Sequence, residues 1–327
     1  MRILITGGGG FIGFEAAMNF KRLGHDVMIL DKSPDHHRWR KAKTLKIEKT
    51  YADVLDISML SQVKKFNPEA IIHCAAQTAA TTGYKDPLGD FVTNARGTFE
   101  VCEYARRNNS EIIFTSSNKV YGENVNKYAA KWNNRWGFLS TSSVEFAIDE
   151  DFPIDLTSHS PYGCSKLAAD IYVQDYHHTY GVKTNVYRMS CIYGESQTGT
   201  EDQGWIYHIV NQIINEKEVK IFGDGCQVRD ILHVDDLVRL MELTLKKEGS
   251  DVYNVGGGLD RTLSVLELIN FVNPEYKNYT FHPWRSADQK VYISDITKVK
   301  RKLNWEPSIS VEQGLTRMVN KLKVKKI

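Results

Sequence analysis

Arg2 to Gly13 reads RILITGGGGFIG, and this stretch decides the fold. Residues Arg2 to Thr6 are apolar or β-branched, which predicts a buried parallel strand, and an amphipathic helix follows to about Leu23. Glycines between strand and helix permit a tight turn and let the backbone approach a pyrophosphate at the helix N-terminus. This order favours a dinucleotide site over a flexible linker. The predicted contacts are Gly7, Gly10, Phe11, Ile12 and Gly13.

A second strand is predicted at Asp26–Asp31, and it ends on an acid. A carboxylate at that place can bind both hydroxyls of an adenosine ribose and repel a 2′-phosphate. Asp31 therefore favours NAD over NADP, with neighbouring Lys32 as a further contact. NADP stays open as a cofactor, because the cations Lys32, Arg38 and Arg40 lie close in sequence. The alternative for Asp31 is an acid at a strand end with no binding role.

The alternation of strands and helices continues along the chain, and repeated βα units predict an α/β fold with a Rossmann-type, doubly wound parallel sheet. Ligands bind such sheets at the carboxyl ends of the strands. The predicted strands are Ile47–Ala52, Ala70–His73, Glu111–Thr115 and Lys183–Arg188, and the helices are Ser58–Phe66, Leu88–Arg107 and Tyr162–Tyr180. Further predicted cofactor contacts are Asp53, Val54, Ala75, Ala76 and Gln77.

Three residues in two stretches of the chain carry candidate chemistry. Ser117 follows the predicted strand Glu111–Thr115, where a hydroxyl can bond a substrate oxygen, although an ST-turn would use the same residue. Tyr162 and Lys166 are four residues apart on a predicted helix that begins near Pro161, so they share one face. An ammonium beside a phenol favours the phenolate, which predicts a Tyr162 pKa lowered from ~10 towards neutrality and a role as general acid/base. The alternative is a solvated helix face.

Beyond Gly194 the regular pattern changes, which predicts a smaller second domain. Its elements are helices Gln203–Asn215, Asp235–Lys247, Ser264–Val272, Asp295–Leu303 and Val311–Leu322 and strand Val219–Phe222. Residues near Val252–Asn254 are expected to return to the main sheet. Residues Asn124–Thr157 are polar and aromatic and read as an insertion near the site mouth, with no role assigned.

Composition excludes several functions. The 327 residues carry 42 Lys and Arg against 40 Asp and Glu, and a net charge of +2 predicts no polyanion-binding surface and no nucleic-acid partner. No apolar run reaches ~18 residues, so no membrane span is expected. The five cysteines show no CxxC spacing. Free thiols in a reducing cytoplasm and no metal site are therefore expected.

Taken in order, the glycine turn, Asp31, Ser117 and the Tyr162/Lys166 pair resemble the extended short-chain dehydrogenase/reductases, over nearly the whole chain. The resemblance implies an NAD-dependent sugar-nucleotide epimerase or dehydratase with Ser117, Tyr162 and Lys166 as catalytic triad. Lys166 would also bind the nicotinamide ribose, and Asn94 would support the site. The implied domains are residues 1–188 for NAD, with returning segments near 228–257, and 189–327 mainly for the sugar nucleotide. Members commonly form homodimers or homotetramers through two long helices.

The stretches SNKVYG, from Ser117, and DQGW, from Asp202, resemble epimerases that act at C2 of a CDP-linked sugar. The implied substrate contacts are Thr82, Ser117, Asn118, Ser190, Gln203, Gly204, Ile221, Arg229, Arg285 and Asp288. The two arginines would bind the nucleotide diphosphate, since guanidinium forks suit phosphate; surface ion pairs are the alternative.

Three other functions stay open. A 4-epimerase of a UDP- or GDP-sugar is the nearest. A 4,6-dehydratase needs an acid and a base for elimination. Related dehydratases carry carboxylates directly after the Ser or Thr, where this chain has Asn118 and Lys119. A catalytically silent NAD-bound scaffold is the third, and the intact triad argues against it.

Overall fold

A computed structural model describes residues 1–33, 36–139 and 146–326. The chain forms two compact units. The first comprises Met1–Val120, Pro161–Arg188 and Val238–Tyr253, and the second comprises Tyr121–Ser160, Met189–Leu237 and Asn254–Ile327. Residues 121–160 therefore group with the second unit, although the sequence placed them in the first domain. The segment that returns to the first unit is shorter than the predicted 228–257.

The strands and helices are numbered here in chain order. The strands are β1 (Arg2–Thr6), β2 (Asp26–Asp31), β3 (Glu48–Tyr51), β4 (Ala70–His73), β5 (Glu111–Ser117), β6 (Ala129–Trp132), β7 (Arg135–Phe138), β8 (Thr184–Met189), β9 (Cys191–Tyr193), β10 (Val219–Phe222), β11 (Val228–His233), β12 (Asp251–Val255), β13 (Thr262–Ser264), β14 (Tyr279–His282) and β15 (Val291–Tyr292). The helices are α1 (Phe11–Arg22), α2 (His36–Thr44), α3 (Ser61–Phe66), α4 (Ala80–Lys85), α5 (Pro87–Asp90), α6 (Gly97–Asn108), α7 (Ser160–Tyr180), α8 (Trp205–Ile214), α9 (Val234–Leu245), α10 (Val265–Val272), α11 (Thr297–Leu303) and α12 (Val311–Lys326).

A seven-stranded sheet in the order β12-β8-β5-β4-β1-β2-β3 organises the first unit, which confirms the predicted Rossmann-type fold. Strand β1 pairs in parallel with β2 on one side and with β4 on the other. The strand order therefore reverses between β1 and β4, and a crevice opens there beyond their carboxyl ends. Strand β12 joins the edge of this sheet, as predicted for residues near Val252–Asn254.

Apolar side chains cover the sheet because parallel strands are buried on both faces. Leu4, Ile71 and Ile112, from three neighbouring strands, lie in one core with Val101 of α6 and Val173 of α7. This packing fixes α7, and with it Tyr162 and Lys166, against the strands whose ends form the crevice.

The predicted single helix Leu88–Arg107 is interrupted. Helix α5 is followed by a π-helical turn, Phe91–Arg96, before α6 begins at Gly97. Pro87 begins α5, and the Asp86 side chain accepts from the Gly89 N–H. Single π-turns are rare and often lie at functional sites.

Two other boundaries differ near the predicted site. Ser117 is the last residue of β5 and does not lie beyond the strand end, and a 3-10 segment, Asn118–Tyr128, follows. Helix α3 begins three residues later than predicted. A short 3-10 turn, Val54–Asp56, which the Asp53 side chain caps, precedes it.

The second unit contains the shorter sheets. Strands β10 and β14 form a parallel pair, and β11 pairs with β13, β15 and β9. A core of Tyr193, Val210, Ile221, Leu268 and Leu315 lies between these strands and helices α8, α10 and α12. Ser264 and Glu267 form a capping box that starts α10. Within the described ranges, no helix is both long and apolar enough to cross a membrane.

The insertion Asn124–Thr157 contains the antiparallel hairpin β6–β7. The Trp136 indole N–H donates to Asp224 at 2.9 Å, and its backbone N–H donates to the Cys226 carbonyl. These contacts fix the hairpin within the second unit. Residues 140–145 of the insertion lie outside the described residues.

Candidate active site

The glycine turn forms a closely packed cradle after β1. A Cβ on Gly7 would lie 2.6 Å from the Ala75 nitrogen, and one on Gly13 would overlap the Gly7 carbonyl. Gly7 also has a φ of +67°, which an L side chain rarely adopts. Gly10 caps α1, whose first N–H groups have no acceptor within the helix. No side chain projects from Gly7 to Gly10, so the backbone of the turn can approach the pyrophosphate of a dinucleotide.

Asp31 holds the same turn from the end of β2. Its carboxylate accepts from the Gly9 N–H at 2.9 Å and from the Ser33 N–H at 2.8 Å. Lys32 forms an ion pair with Asp53 at 3.1 Å. Arg38 donates to the Gly9 carbonyl at 3.1 Å. Asp31 therefore places its negative charge at the cradle, where ribose hydroxyls can bond it and a 2′-phosphate would be repelled.

The residues after β4 are connected to α7, the helix that carries Tyr162 and Lys166, through Asn94 of the π-helical turn. Asn94 accepts from the Gln77 N–H at 2.8 Å, and donates to the Gln77 carbonyl and the Ser165 hydroxyl at 3.0 and 2.9 Å. These bonds join the Gln77 backbone, Asn94 and α7, and the supporting role of Asn94 remains a prediction.

His73, which the sequence analysis did not select, lies beneath this network. Its two ring nitrogens form hydrogen bonds with the Thr6 hydroxyl at 2.6 Å and the Thr98 hydroxyl at 2.9 Å. Burial, and then the charge of Lys166, lowers the pKa of His73 to about 3. The imidazole therefore stays neutral in the fold and holds strand β1 to α6.

Tyr162 and Ser117 face each other, but the predicted fall in the tyrosine pKa is wrong for this structure. Burial raises the Tyr162 pKa, the hydrogen bond from Ser117 lowers it, and the charge of Asp90 raises it again. Tyr162 is half-buried, and burial of a phenol disfavours the charged phenolate. Ser117 is buried, and its oxygen also accepts from the Lys119 N–H at 3.2 Å.

Lys166 does not counteract this rise in the Tyr162 pKa, because its ammonium makes its contacts elsewhere. Nζ donates to the Thr115 carbonyl at 2.7 Å and lies 4.1 Å from the centre of the Phe114 ring. Burial lowers the pKa of Lys166 to about 7, opposed by the charges of Asp170 and then Cys74. The side chain is thus poised between its charged and neutral forms near neutral pH.

A buried ion pair that the sequence analysis missed lies one turn beyond Lys166. Asp170 accepts from Arg188 at 3.1 and 3.2 Å and from the Ser116 hydroxyl at 2.6 Å. All three side chains are buried. The sequence offered one signal for this pair, because Asp170 lies four residues after Lys166 on the same helix face. Its partners on β5 and β8 could not be identified from the sequence.

The predicted substrate residues of the first unit lie at its surface and at the end of β5. Thr82 lies in α4 and is exposed, and Asn118 is buried at the start of the 3-10 segment. The positions of Thr82 and Asn118 do not contradict a role in substrate binding, and that role remains a prediction for both residues.

In the second unit, Arg229 and Arg285 both contact acidic residues. Arg229 donates to Asp288 at 2.8 Å, and Arg285 lies 3.5 Å from Asp202 and donates to the Glu201 carbonyl at 2.9 Å. The ion pair considered as the alternative for Arg229 therefore exists, but its partner is itself a predicted substrate contact. Both guanidinium groups retain further donors for a phosphate.

The remaining predicted contacts differ in their environment. Ser190 bonds the carbonyl and carboxylate of Asp230, so its hydroxyl is occupied. Ile221 is buried in the core of its unit, Gln203 is exposed, and Gly204 caps α8 with a φ of +75°.

A cavity of about 630 Å³ lies beside the hairpin β6–β7. Trp132, Trp136, Arg135 and Glu267 contribute to its wall, and none of the predicted substrate residues does. Within the ranges that the structure describes, no cluster of His, Cys, Asp or Glu could hold a metal ion.

A parallel sheet with a glycine cradle at its switch point, and a Ser, Tyr and Lys at the same strand ends, defines a dinucleotide-dependent enzyme of the extended short-chain dehydrogenase/reductase class. The chain belongs to the NAD dependent epimerase/dehydratase family, which matches residues 3–256.

Individual proteins support this assignment. The chain is 34% identical to a CDP-paratose 2-epimerase from Salmonella typhi, over 97% of this chain and 98% of that protein. It is 30% identical to a UDP-glucuronate 4-epimerase from Thermodesulfobacterium geofontis, over 97% and 94%. A UDP-glucose 4-epimerase from Thermotoga maritima, solved with UDP-glucose, superposes with a TM-score of 0.86 at 28% identity over both whole chains. The predictions of an NAD-dependent nucleotide-sugar epimerase and of NAD as cofactor are confirmed.

Proposed function

We propose that this enzyme inverts C2 of a CDP-linked deoxysugar, converting CDP-paratose to CDP-tyvelose through a transient keto-sugar. The observation that carries the proposal is the 34% identity to a CDP-paratose 2-epimerase over nearly the full length of both proteins. The stretches that begin at Ser117 and Asp202 support it, because they resemble epimerases of that kind.

The residues of the first unit supply the proton chemistry. When bound, NAD supplies the hydride acceptor and then the hydride donor. Tyr162 removes the proton of the sugar hydroxyl and later returns it, and Ser117 hydrogen-bonds the reacting oxygen. Lys166 binds the nicotinamide ribose, and Asn94 holds the helix that carries both side chains.

The residues of the second unit bind the nucleotide in this proposal. Arg229 and Arg285 hold the diphosphate, with Asp288 orienting the Arg229 guanidinium. An anchored nucleotide leaves the sugar free to present its other face. The absence of carboxylates at Asn118 and Lys119 argues against elimination of water, which needs an acid and a base.

The test is a substrate panel in D₂O followed by proton NMR. CDP-paratose should be inverted at C2 with no deuterium at C2 or C6, because hydride transfer keeps the hydrogen on the enzyme. Stoichiometric deuterium at C2 would reject oxidation and reduction in favour of deprotonation at carbon, and deuterium at C6 would indicate dehydration.

A 4-epimerase is the second candidate, because a UDP-glucuronate 4-epimerase is 30% identical. UDP-glucuronate and UDP-glucose therefore belong in the same panel. Inversion at C4 of either, with CDP-paratose unchanged, would replace the first proposal with this one.

A further inference from the structure

The carboxylate of Asp90 is buried next to the catalytic helix, and the proposed mechanism does not use it. The residue is 1% exposed and ends α5, just before the π-helical turn that carries Asn94. Its Oδ1 accepts from the Gln77 amide at 2.5 Å. Its Oδ2 is buried and has no hydrogen-bond partner in the part of the chain that the structure describes. An unpaired buried carboxylate oxygen is costly, so its retention calls for a role.

Gly83 shows where this oxygen lies. A Cβ on Gly83 would overlap Asp90 Oδ2 and would lie 3.3 Å from the backbone nitrogen of Tyr162. The oxygen and the first turn of α7 therefore approach each other across a glycine that has no side chain to separate them. The first N–H groups of a helix lack acceptors within it, and the helix dipole favours an anion there. The sequence of this turn, from Ser160 to Gly163, contains no acid of its own.

The charged and titratable groups around the two side chains come from several elements. Around Tyr162 they are Ser117 at the end of β5 and Asp90 from α5, while Lys166 on the same helix donates to the Thr115 carbonyl. Around Asp90, burial raises the carboxyl pKa, Gln77 lowers it and Asp86 raises it. Ser117 favours the phenolate, and the charge of Asp90 opposes it.

We propose that Asp90 is a positioning residue whose buried charge, held by Gln77 against the first turn of α7, restrains the ionisation of Tyr162. This inference rests on the proposed role of Tyr162. Burial already favours the neutral phenol, and the charge of Asp90 adds to that effect against the hydrogen bond from Ser117.

The test compares the complete enzyme with its Asp90→Asn variant, which keeps the shape and removes the charge. In this variant, the pH at which kcat/KM rises should be lower by about half to one pH unit. At pH values lower than this rise, kcat/KM of the variant should then be roughly three- to tenfold higher than that of the wild type at the same pH. Asp86→Asn is the matched control, because it removes an exposed charge from the cap of the same helix and should leave the pH of this rise unchanged.

A spectroscopic titration separates failure of this inference from failure of the proposed function. The tyrosinate absorbance of each protein, minus that of its Tyr162→Phe counterpart, reports ionisation of Tyr162 without turnover. The titration should move down in Asp90→Asn, and in Asp90→Ser as a second neutral variant. An unmoved or higher titration would overturn the inference. Loss of folding in both variants, with Asp86→Asn folded, would also overturn it by giving Asp90 a purely structural role.

Discussion

The Nζ of Lys166 donates a hydrogen bond to the carbonyl oxygen of Thr115 at 2.7 Å. This bond directs the ammonium to the end of β5, and burial lowers its pKa to about 7. The lysine is therefore held where its charge depends on what else enters the site. Its proposed role in the enzyme is to bind the nicotinamide ribose and to favour the phenolate once a cofactor is bound.

Replacing Lys166 with Met should lower both cofactor content and turnover, because one ammonium is proposed to serve the ribose and the phenolate. NAD released by denaturation and kcat are the measurements. Tyr162→Phe is the comparison, since it should keep the cofactor. Normal NAD content in Lys166→Met would separate the lysine from the ribose.

Tyr162→Phe should keep the fold and the bound NAD but reduce kcat by roughly 10²–10⁴-fold, the usual contribution of a general acid/base. Tyr172→Phe is the matched control, because Tyr172 is exposed on the same helix. Steady-state assays of both variants suffice. A Tyr162→Phe enzyme with near-normal kcat would mean that another group moves the proton.

Denaturing the purified protein should release NAD and little NADP, because Asp31 places a carboxylate at the cradle where a 2′-phosphate would lie. Asp31→Ser should increase the share of NADP that a cofactor-free sample takes up. Asp56→Ser, an exposed acid nearby in sequence, is the control. Mainly NADP in the wild-type extract would contradict the assignment.

Arg229→Ala should raise KM by roughly ten- to a hundredfold, since a charge-assisted phosphate contact contributes about 1.5–3 kcal/mol. Arg301→Ala, at an exposed position on α11, is the control. Asp288→Asn tests the ion pair itself. If Arg229→Ala and Asp288→Asn lose stability equally and leave KM unchanged, the arginine has only a structural role.

Stability should fall with acid because His73 is buried as the neutral form. Its pKa is 6.5 when unfolded and about 3 in the fold, so below pH 6.5 the unfolded chain binds a proton that the folded chain cannot. At pH 5.5 this costs about 1.4 kcal/mol of unfolding free energy relative to high pH. His73→Gln should lose that part of the pH dependence in urea unfolding at pH 7.5 and 5.5. The exposed His178→Gln should retain it, and equal pH dependence in both variants would contradict the assignment.

The sequence alone determined the features that depend on local order. The glycine turn after a strand, the acid at the end of β2 and the spacing of Tyr162 and Lys166 each lie within a short stretch. Strand and helix formation there follows from side-chain patterns and turn chemistry, so fold class and cofactor could be predicted.

Only the tertiary structure decided what depends on burial and on contacts between distant residues. It raised the Tyr162 pKa, directed Lys166 to Thr115 and placed Asp90 across Gly83 from the catalytic helix. It also paired Arg229 with Asp288, which lie 59 positions apart in the sequence. A pKa is set by desolvation and by neighbouring charges, and neither exists until the chain has packed.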